Sequence, residues 1–260
     1  YIRGDWLLLT VVALLLIGLA WAGKESLPPY IEQIRTVLNL GSIREGERVI
    51  HNGLPWKVNA LGYLSSFENP DLQGGEVKLP IRDVIKMVSR DADDREPWFP
   101  TRIDDWVLMP DGLYGKVVTQ TPEQVVVLRQ GGSLKTYPSA SFLEECPENL
   151  SRGFRITSVF GIDYRHQAIC TVQVPEILTQ ALTTVLVGEY GRESIHSIKV
   201  EFAHAGASSL DYQILVDADG SMAGRYQVLQ RMIQKVCVDT CNAENWVIPF
   251  QQITVHQAGK

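Results

Sequence analysis

The stretch Gly74–Pro80, "GGEVKLP", returns almost as a phrase at Gly131–Pro138, "GGSLKTYP". Each is a Gly-Gly turn, a polar residue, an aliphatic one, a lysine and a nearby proline. Working outward, the flanks also match. Val49 aligns with Val107, Gly53 with Gly112, Lys57-Val58 with Lys116-Val117, Pro80 with Pro138, and Ser89-Arg90 with Ser151-Arg152. The offset drifts only between about 57 and 62 residues, as loop insertions allow. Asn52-Gly53, Asp111-Gly112 and the two Gly-Gly pairs are turn signals that cut each copy into short strands. "VVVL" (125–128) is the clearest of these, rich in β-branched residues. A unit of about 50 residues with four or five short strands reads as a small, strongly bent β barrel. Duplication of one β module is the simplest account, with the charged, proline-bearing "RDADDREPWFP" (90–100) as the joint.

Upstream, Trp6 to Ala22 reads "WLLLTVVALLLIGLAWA", in which Thr10 is the one polar residue and nothing is charged. As a helix this run is about 26 Å long, against a hydrocarbon core of about 30 Å. Its leucines, valines and isoleucine favour insertion by several kcal/mol in sum. Trp6 and Trp21 stand where interfacial aromatics belong, and Asp5 and Lys24 bound the run with charge. A membrane span is the expectation. A signal peptide cleaved near Ala20-Trp21-Ala22 and a buried soluble helix are its rivals. Next, Pro28-Pro29 opens a second, amphipathic helix carrying Ile31, Ile34, Val37 and Leu38, which stops near Gly41. The chain begins with Tyr1 rather than Met, as expected of a fragment or a processed chain.

Past Arg155 the pattern mixes. "RITSVFGIDY" and "HQAICTVQV" read as strand material, and "PEILTQALTTVLVGEYG" as a helix with Ile177, Leu178, Ala181, Leu182, Val185 and Leu186 on one side. "SIKVEFA" and "SSLDYQILVDA" read as strands. In the second, Leu210, Tyr212, Ile214 and Val216 share a face opposite Asp211, Gln213 and Asp217. A helix through Met222, Tyr226, Leu229, Ile233 and Val236 follows, and "QQITVHQ" is a last strand. The order β-α-β-β-α-β is that of a ferredoxin-like layer.

Composition narrows the function classes. The net charge of −6 argues against a nucleic-acid binder, whose phosphate contacts need a basic surface. Cys146, Cys170, Cys237 and Cys241 have no zinc or redox spacing, so buried apolar thiols are expected. The histidines at 51, 166, 196, 204 and 256 are scattered. Asp104-Asp105 and the run Asp91 to Asp94 read as solvated loops, without the oxygen-rich spacing of a calcium site. No nucleophile elbow, zincin, P-loop or Rossmann fingerprint is present, so no enzyme, metal or cofactor is expected.

Taken together, "SIREGERV" (42–49) or "DDWV" (104–107), a glycine turn, "G-x-V", a second glycine turn and a proline, and the closing "N-x-S-R" resemble a known β domain. It is the middle β domain of the small-conductance mechanosensitive channel (MscS-like) family. In that family the domain follows the pore-lining helix, and "SIREGERV" follows the apolar helices here in the same order. "GASSLDYQILV" (206–216) and "IPFQQITV" (248–255) resemble the family's C-terminal α/β domain. The likeness covers roughly residues 42 to 257. Two β domains where the family has one, and the bulky, charged "YIEQIRTVLNL" after the span, depart from its pattern.

The resemblance implies a membrane-anchored α+β chain. It comprises a transmembrane helix at 1–23, a connector helix at 24–41, a β domain at 42–90, a linker at 91–101, a second β domain at 102–153 and a ferredoxin-like domain at 154–260. The β domains would be tandem Sm-like barrels. The resemblance also implies a homo-oligomeric ring, with a heptamer as the family's usual number, set in the inner membrane with its C-terminal domains in the cytoplasm. Lipids would be its partners and inorganic ions its permeants, released under tension at osmotic downshock. Ile17 and Trp21, four apart, would face the pore, and Ala13, Gly18 and Ala20 would allow close helix packing. The rival from another class is a membrane-anchored or secreted binding scaffold that conducts nothing.

Overall fold

The computed structural model describes residues 2–250. Among them it has one N-terminal apolar helix and three β-sheets. Two compact units result. One is Tyr1–Ile103 with Val117–Leu128 and Ser133–Cys146, and the other is Asp104–Lys116 with Arg129–Gly132 and Pro147 onward.

Helix α1 runs unbroken from Ile2 to Val37. The separate connector expected to begin at Pro28 is instead the continuation of the same helix. A proline's fixed φ is compatible with a helix, so the path can continue, although Pro28 and Pro29 each remove an i→i−4 donor at a cost of about 3 kcal/mol. The helix ends at Asn39, left-handed at φ 59°, with the Leu40 amide donating to the Arg35 carbonyl at 2.8 Å.

The first unit then builds a four-stranded antiparallel meander: β1 (Arg48–His51), β2 (Leu54–Ala60), β3 (Leu64–Glu68) and β4 (Glu76–Pro80), in spatial order. Pro80 leads into the short helix α2 (Ile81–Val84). The chain returns to its start through the bridge between Arg48 and Arg90. Val49, Trp56, Val58, Phe67 and Val84 form the buried side.

A second meander follows with the same devices: β5 (Trp106–Leu108), β6 (Tyr114–Gln120), β7 (Gln124–Arg129) and β8 (Leu134–Pro138). Pro138 leads into α3 (Ser139–Glu144), and β9 (Glu148–Asn149) returns to pair with β5. The sheet order is β8-β7-β6-β5-β9. Among the described residues the strand pairing of each sheet is that of an antiparallel meander. Strands of two to seven residues leave β4 and β8 as edges. The serines of the repeated Ser-Arg pair do equivalent work. Ser89 Oγ accepts from the Arg44 amide at 2.9 Å, and Ser151 Oγ from the Trp106 amide at 2.8 Å.

The two Gly-Gly turns differ. Gly74 has φ +66°, whereas a Cβ on Gly75 would stand 2.3 Å from the Asn69 carbonyl oxygen. Gly131 and Gly132 both have φ +92° in open space. Glycine is needed for closeness at one position and for backbone freedom at the others.

The C-terminal part of the second unit holds β10 (Phe154–Ile162), α4 (Gln173–Tyr190), β11 (Ile195–Ala205), β12 (Leu210–Ala218) and α5 (Tyr226–Ala243). The antiparallel sheet has the order β10-β12-β11. Leu210, Tyr212, Ile214 and Val216 are buried along β12, and Leu178, Leu182 and Leu186 of α4 meet Leu229 and Ile233 of α5 in the same core. Residues 166–174 are not a strand. Asp163 caps a 3-10 turn over Tyr164–His166 by accepting from the Arg165 amide at 2.9 Å, and the chain turns directly into α4. The β-branched Thr171, Val172 and Val174 belong to that turn and to the helix start. The expected last strand, "QQITVHQ", lies outside the described residues.

Candidate functional site

The candidate site is α1 and the joint below it. Trp6–Lys24 has a mean hydropathy of 2.3, and none of it is buried by the rest of the chain. Its 19 residues rise about 28 Å, close to the hydrocarbon thickness. Thr10, the polar exception, satisfies itself by donating to the Trp6 carbonyl. A helix apolar all round and uncovered by its own fold requires lipid or other helices around it.

Ile17 and Trp21 share a face through their i, i+4 spacing and are 65% and 74% exposed. Ala13 and Ala20, seven apart, share another. Gly18 lies about 160° around the helix from Ala20, so the three small residues do not form one stripe.

The helix exit is bonded to the first meander through many short links. Ser42 Oγ donates to the Met87 carbonyl at 2.8 Å, and the Ser89 amide donates to the Ser42 carbonyl at 3.1 Å. Asn39 Oδ1 accepts from the Glu45 amide at 2.8 Å, and Glu45 Oε1 from the Leu61 amide at 2.7 Å. Ser89 Oγ also donates to Glu47. Thr36 is buried, and its backbone lies against Gly41, where a Cβ would come within 2.9 Å of Thr36 Oγ1. The helix end is therefore hydrogen-bonded to the β module rather than joined to it by a loose loop.

Below that joint, Arg48 pins the segment after the first meander. Its guanidinium donates twice to the Pro97 carbonyl, at 3.0 and 3.1 Å, and lies 4.7 Å above the Trp98 ring. Burial lowers its pKa, a shift opposed by Glu96. Asp71 accepts from the amides of Trp98 and Phe99 at 3.0 and 3.1 Å. The linker expected to be a solvated joint is thus held along its second half, where Phe99 is buried and stacks on Phe142.

The other residues singled out by sequence stand apart from one another. Asp104 pairs with Lys116 at 2.6 Å, while Asp105 accepts from Asn149 at 2.7 Å. His166 Nε2 accepts from the Val247 amide at 2.9 Å; His196 stands 3.7 Å from Asp219 and His204 3.3 Å from Asp211. His256 lies outside the described residues. Among the described residues no group of His, Cys, Asp and Glu could hold a metal. The four thiols are free; burial pushes Cys237 up to about 12 and Cys241 up to about 11. Sequence reasoning did not find the shallow groove of about 440 Å³ between α4 and α5, lined by Ile177, Ala181, Val185, Val236 and Ala243. The available signal was the width of the apolar face on α4, which exceeds what one sheet contact covers.

No family model and no curated protein matches the chain. Among solved structures, it is similar to the closed-state crystal structure of Helicobacter pylori MscS, with a TM-score of 0.49 and 21% identity over 62% of this chain and 60% of that one. It is also similar to the cryo-EM structure of Arabidopsis thaliana MSL1, with a TM-score of 0.42 and 11% identity over 59% and 54%. The chain therefore spans less than two thirds of either structure, and at this level of likeness its function is read from its own residues.

Proposed function

We propose that this chain is one subunit of a mechanosensitive ion channel, opening under lateral tension to release ions and small solutes during osmotic downshock. The carrying observation is the α1 span. It is long enough to cross a bilayer, wholly uncovered by its own fold, and continuous with a tightly bonded β module. One helix cannot enclose water, so conduction requires a closed ring of copies with head-to-tail contacts. The sequence resemblance supports the family reading, and a heptamer is the number it implies. In this reading the two meanders are a duplicated β domain at 42–90 and 102–153. The C-terminal domains lie in the cytoplasm beneath the inner membrane. Ile17 and Trp21 form the apolar constriction, with Ala13, Gly18 and Ala20 at helix contacts.

Tension favours the state of larger in-plane area. The bonded helix exit would convert a change of helix tilt into movement of the β module, and water would refill the apolar neck. Patch-clamp of the full chain in liposomes tests this. Tension-dependent steps are expected, and Trp21→Ser is expected to lower the opening threshold by hydrating the neck. An intact ring that passes no current under tension would overturn the conducting reading and leave the scaffold reading in its place.

A further inference from the structure

The residues that end α5 dictate where the chain goes next. The Glu244 amide donates to the Thr240 carbonyl at 2.9 Å, and Asn245 then turns left-handed at φ 56°. Asparagine tolerates that conformation better than most residues. The chain folds back, the Trp246 amide donates to the Cys241 carbonyl at 2.8 Å, and the Trp246 side chain is buried in the core shared by α4 and α5. Val247 is thereby delivered to the turn between β10 and α4.

Both backbone groups of Val247 are held there. Its carbonyl accepts from the Asp163 amide at 2.9 Å, and its amide donates to His166 Nε2 at 2.9 Å. His166 is itself fixed. Its own amide donates to the Asp163 carbonyl at 3.1 Å, within the 3-10 turn that Asp163 caps. The neighbouring Tyr164 hydroxyl donates to the Gly206 carbonyl at 2.7 Å, on the β11–β12 turn. Among the described residues, 248–250 make no hydrogen bond, and Phe250 is 71% exposed. The clamp on Val247 is therefore where the segment leaving α5 is tied down.

A ring nitrogen accepts a backbone amide only while it carries no proton. Neutral imidazole offers one acceptor, and imidazolium offers none. We infer that His166 is a pH-sensitive latch. Neutral, it holds the Val247 amide; protonated, it presents one N–H to another, and the segment from Val247 onward is released from the β10–α4 turn. The charged groups on the elements around it are few. Asp163 and Arg165 lie on its own turn, 3.8 Å apart, Glu176 is in the first turn of α4, and Glu244 precedes Trp246. His204 and Asp211 stand 3.3 Å apart on the β11–β12 hairpin. Among these side-chain types, histidine alone ordinarily changes charge between about pH 5 and 8. Protonation of His204 strengthens its attraction to Asp211, so that pair tightens where the His166 contact opens. The β10-β12-β11 ladder is made of backbone pairs that do not titrate, so release is local. The latch requires neither conduction nor assembly.

Hydrogen–deuterium exchange of the full chain in nanodiscs tests the latch, read at Val247 and along β12 and corrected for the intrinsic pH dependence of exchange. Protection of the Val247 amide is expected to fall about tenfold or more from about pH 7.5 to about pH 5.5, while that of β12 stays constant. His166→Gln carries an amide that does not titrate and is expected to hold Val247 protection within about twofold across the same range. His166→Ala is expected to leave Val247 unprotected at both values. His204→Gln, on the neighbouring hairpin, is expected to respond as the wild type does. Constant protection in the wild type overturns the latch without recourse to any variant. A His166→Gln protein that still responds, or a His204→Gln protein that does not, assigns the titration to another group and overturns it too. So does a His166→Ala protein protected as well as the wild type at about pH 7.5. An equal loss along β12 would show global unfolding and also defeat the inference.

Discussion

Single residues hold the segments that link the β-sheets. Arg48 joins Pro97, Trp98 and Glu96 from one buried position. Its removal takes both donors from the part-buried Pro97 carbonyl and the cover from the Trp98 indole, so Arg48→Ala is expected to cost about 1 to 2 kcal/mol. Arg48→Lys keeps the charge but loses the fork and recovers part of that loss. Thermal unfolding of the purified full chain checks both. At Gly220 a Cβ would come within 1.9 Å of the Ser151 carbonyl oxygen, so Gly220→Ala is expected to prevent stable folding or displace that turn. The thiols make a chemical prediction. Cys237 and Cys241 are buried and protonated, and Cys170 is buried, so a maleimide should label Cys146 alone in the native state. Labelling of a second cysteine before unfolding would contradict this packing. Asp217 accepts from Arg155 at 2.6 and 2.9 Å and from Ser197 at 2.9 Å, and these bonds hold its carboxyl below the ordinary 3.8. A lowered carboxylate stabilises the fold above its unfolded pKa and ceases to do so as pH falls through its folded one. Stability should therefore decline below about pH 4, by a small, salt-screened amount. Asp217→Asn should remove that part of the acid sensitivity in a melting-temperature series.

Among the elements, α1 carries the proposed function. A charge at its midpoint opposes insertion by about 2.5 to 3.5 kcal/mol, so Leu15→Arg should shift the chain out of the membrane fraction after carbonate extraction. Pro28 and Pro29 leave two helix carbonyls without i→i−4 donors in the middle of a 36-residue helix. Replacing both by alanine should slow hydrogen exchange in the turn around Lys24, because donors return and an unfavourable proline environment is removed. The helix was legible in part. Its apolar run stands out in the sequence, but the two prolines read equally well as the start of a new helix. Only the backbone path decided for continuity. The strand misassigned over His166–Val174 has a similar cause. Thr171, Val172 and Val174 suit a strand locally, and it is the Asp163 cap and the burial of Val174 against the core that place them elsewhere. On β12 the alternation of apolar and polar residues decided the faces directly, because it coincides with the pleat.

For the whole molecule, the proposed assembly predicts that purified protein in nanodiscs migrates as a multiple of 29.1 kDa rather than as one copy. Single-particle images would check the count and the symmetry.

The sequence by itself determined the periodic features: a run apolar enough for a bilayer, glycine turns at a repeated spacing, and alternation along the strands. Each is local, because hydropathy and backbone freedom belong to residues close together in the chain. Tertiary structure alone decided that the charged linker is pinned by Arg48 and Asp71, and that Gly75 is required by closeness while Gly131 is required by its φ. It also decided that one side of α1 below the span is covered at Thr36 while the Ile34 side stands bare. Those facts depend on which distant groups come within about 4 Å of each other, and spacing along a chain does not encode that.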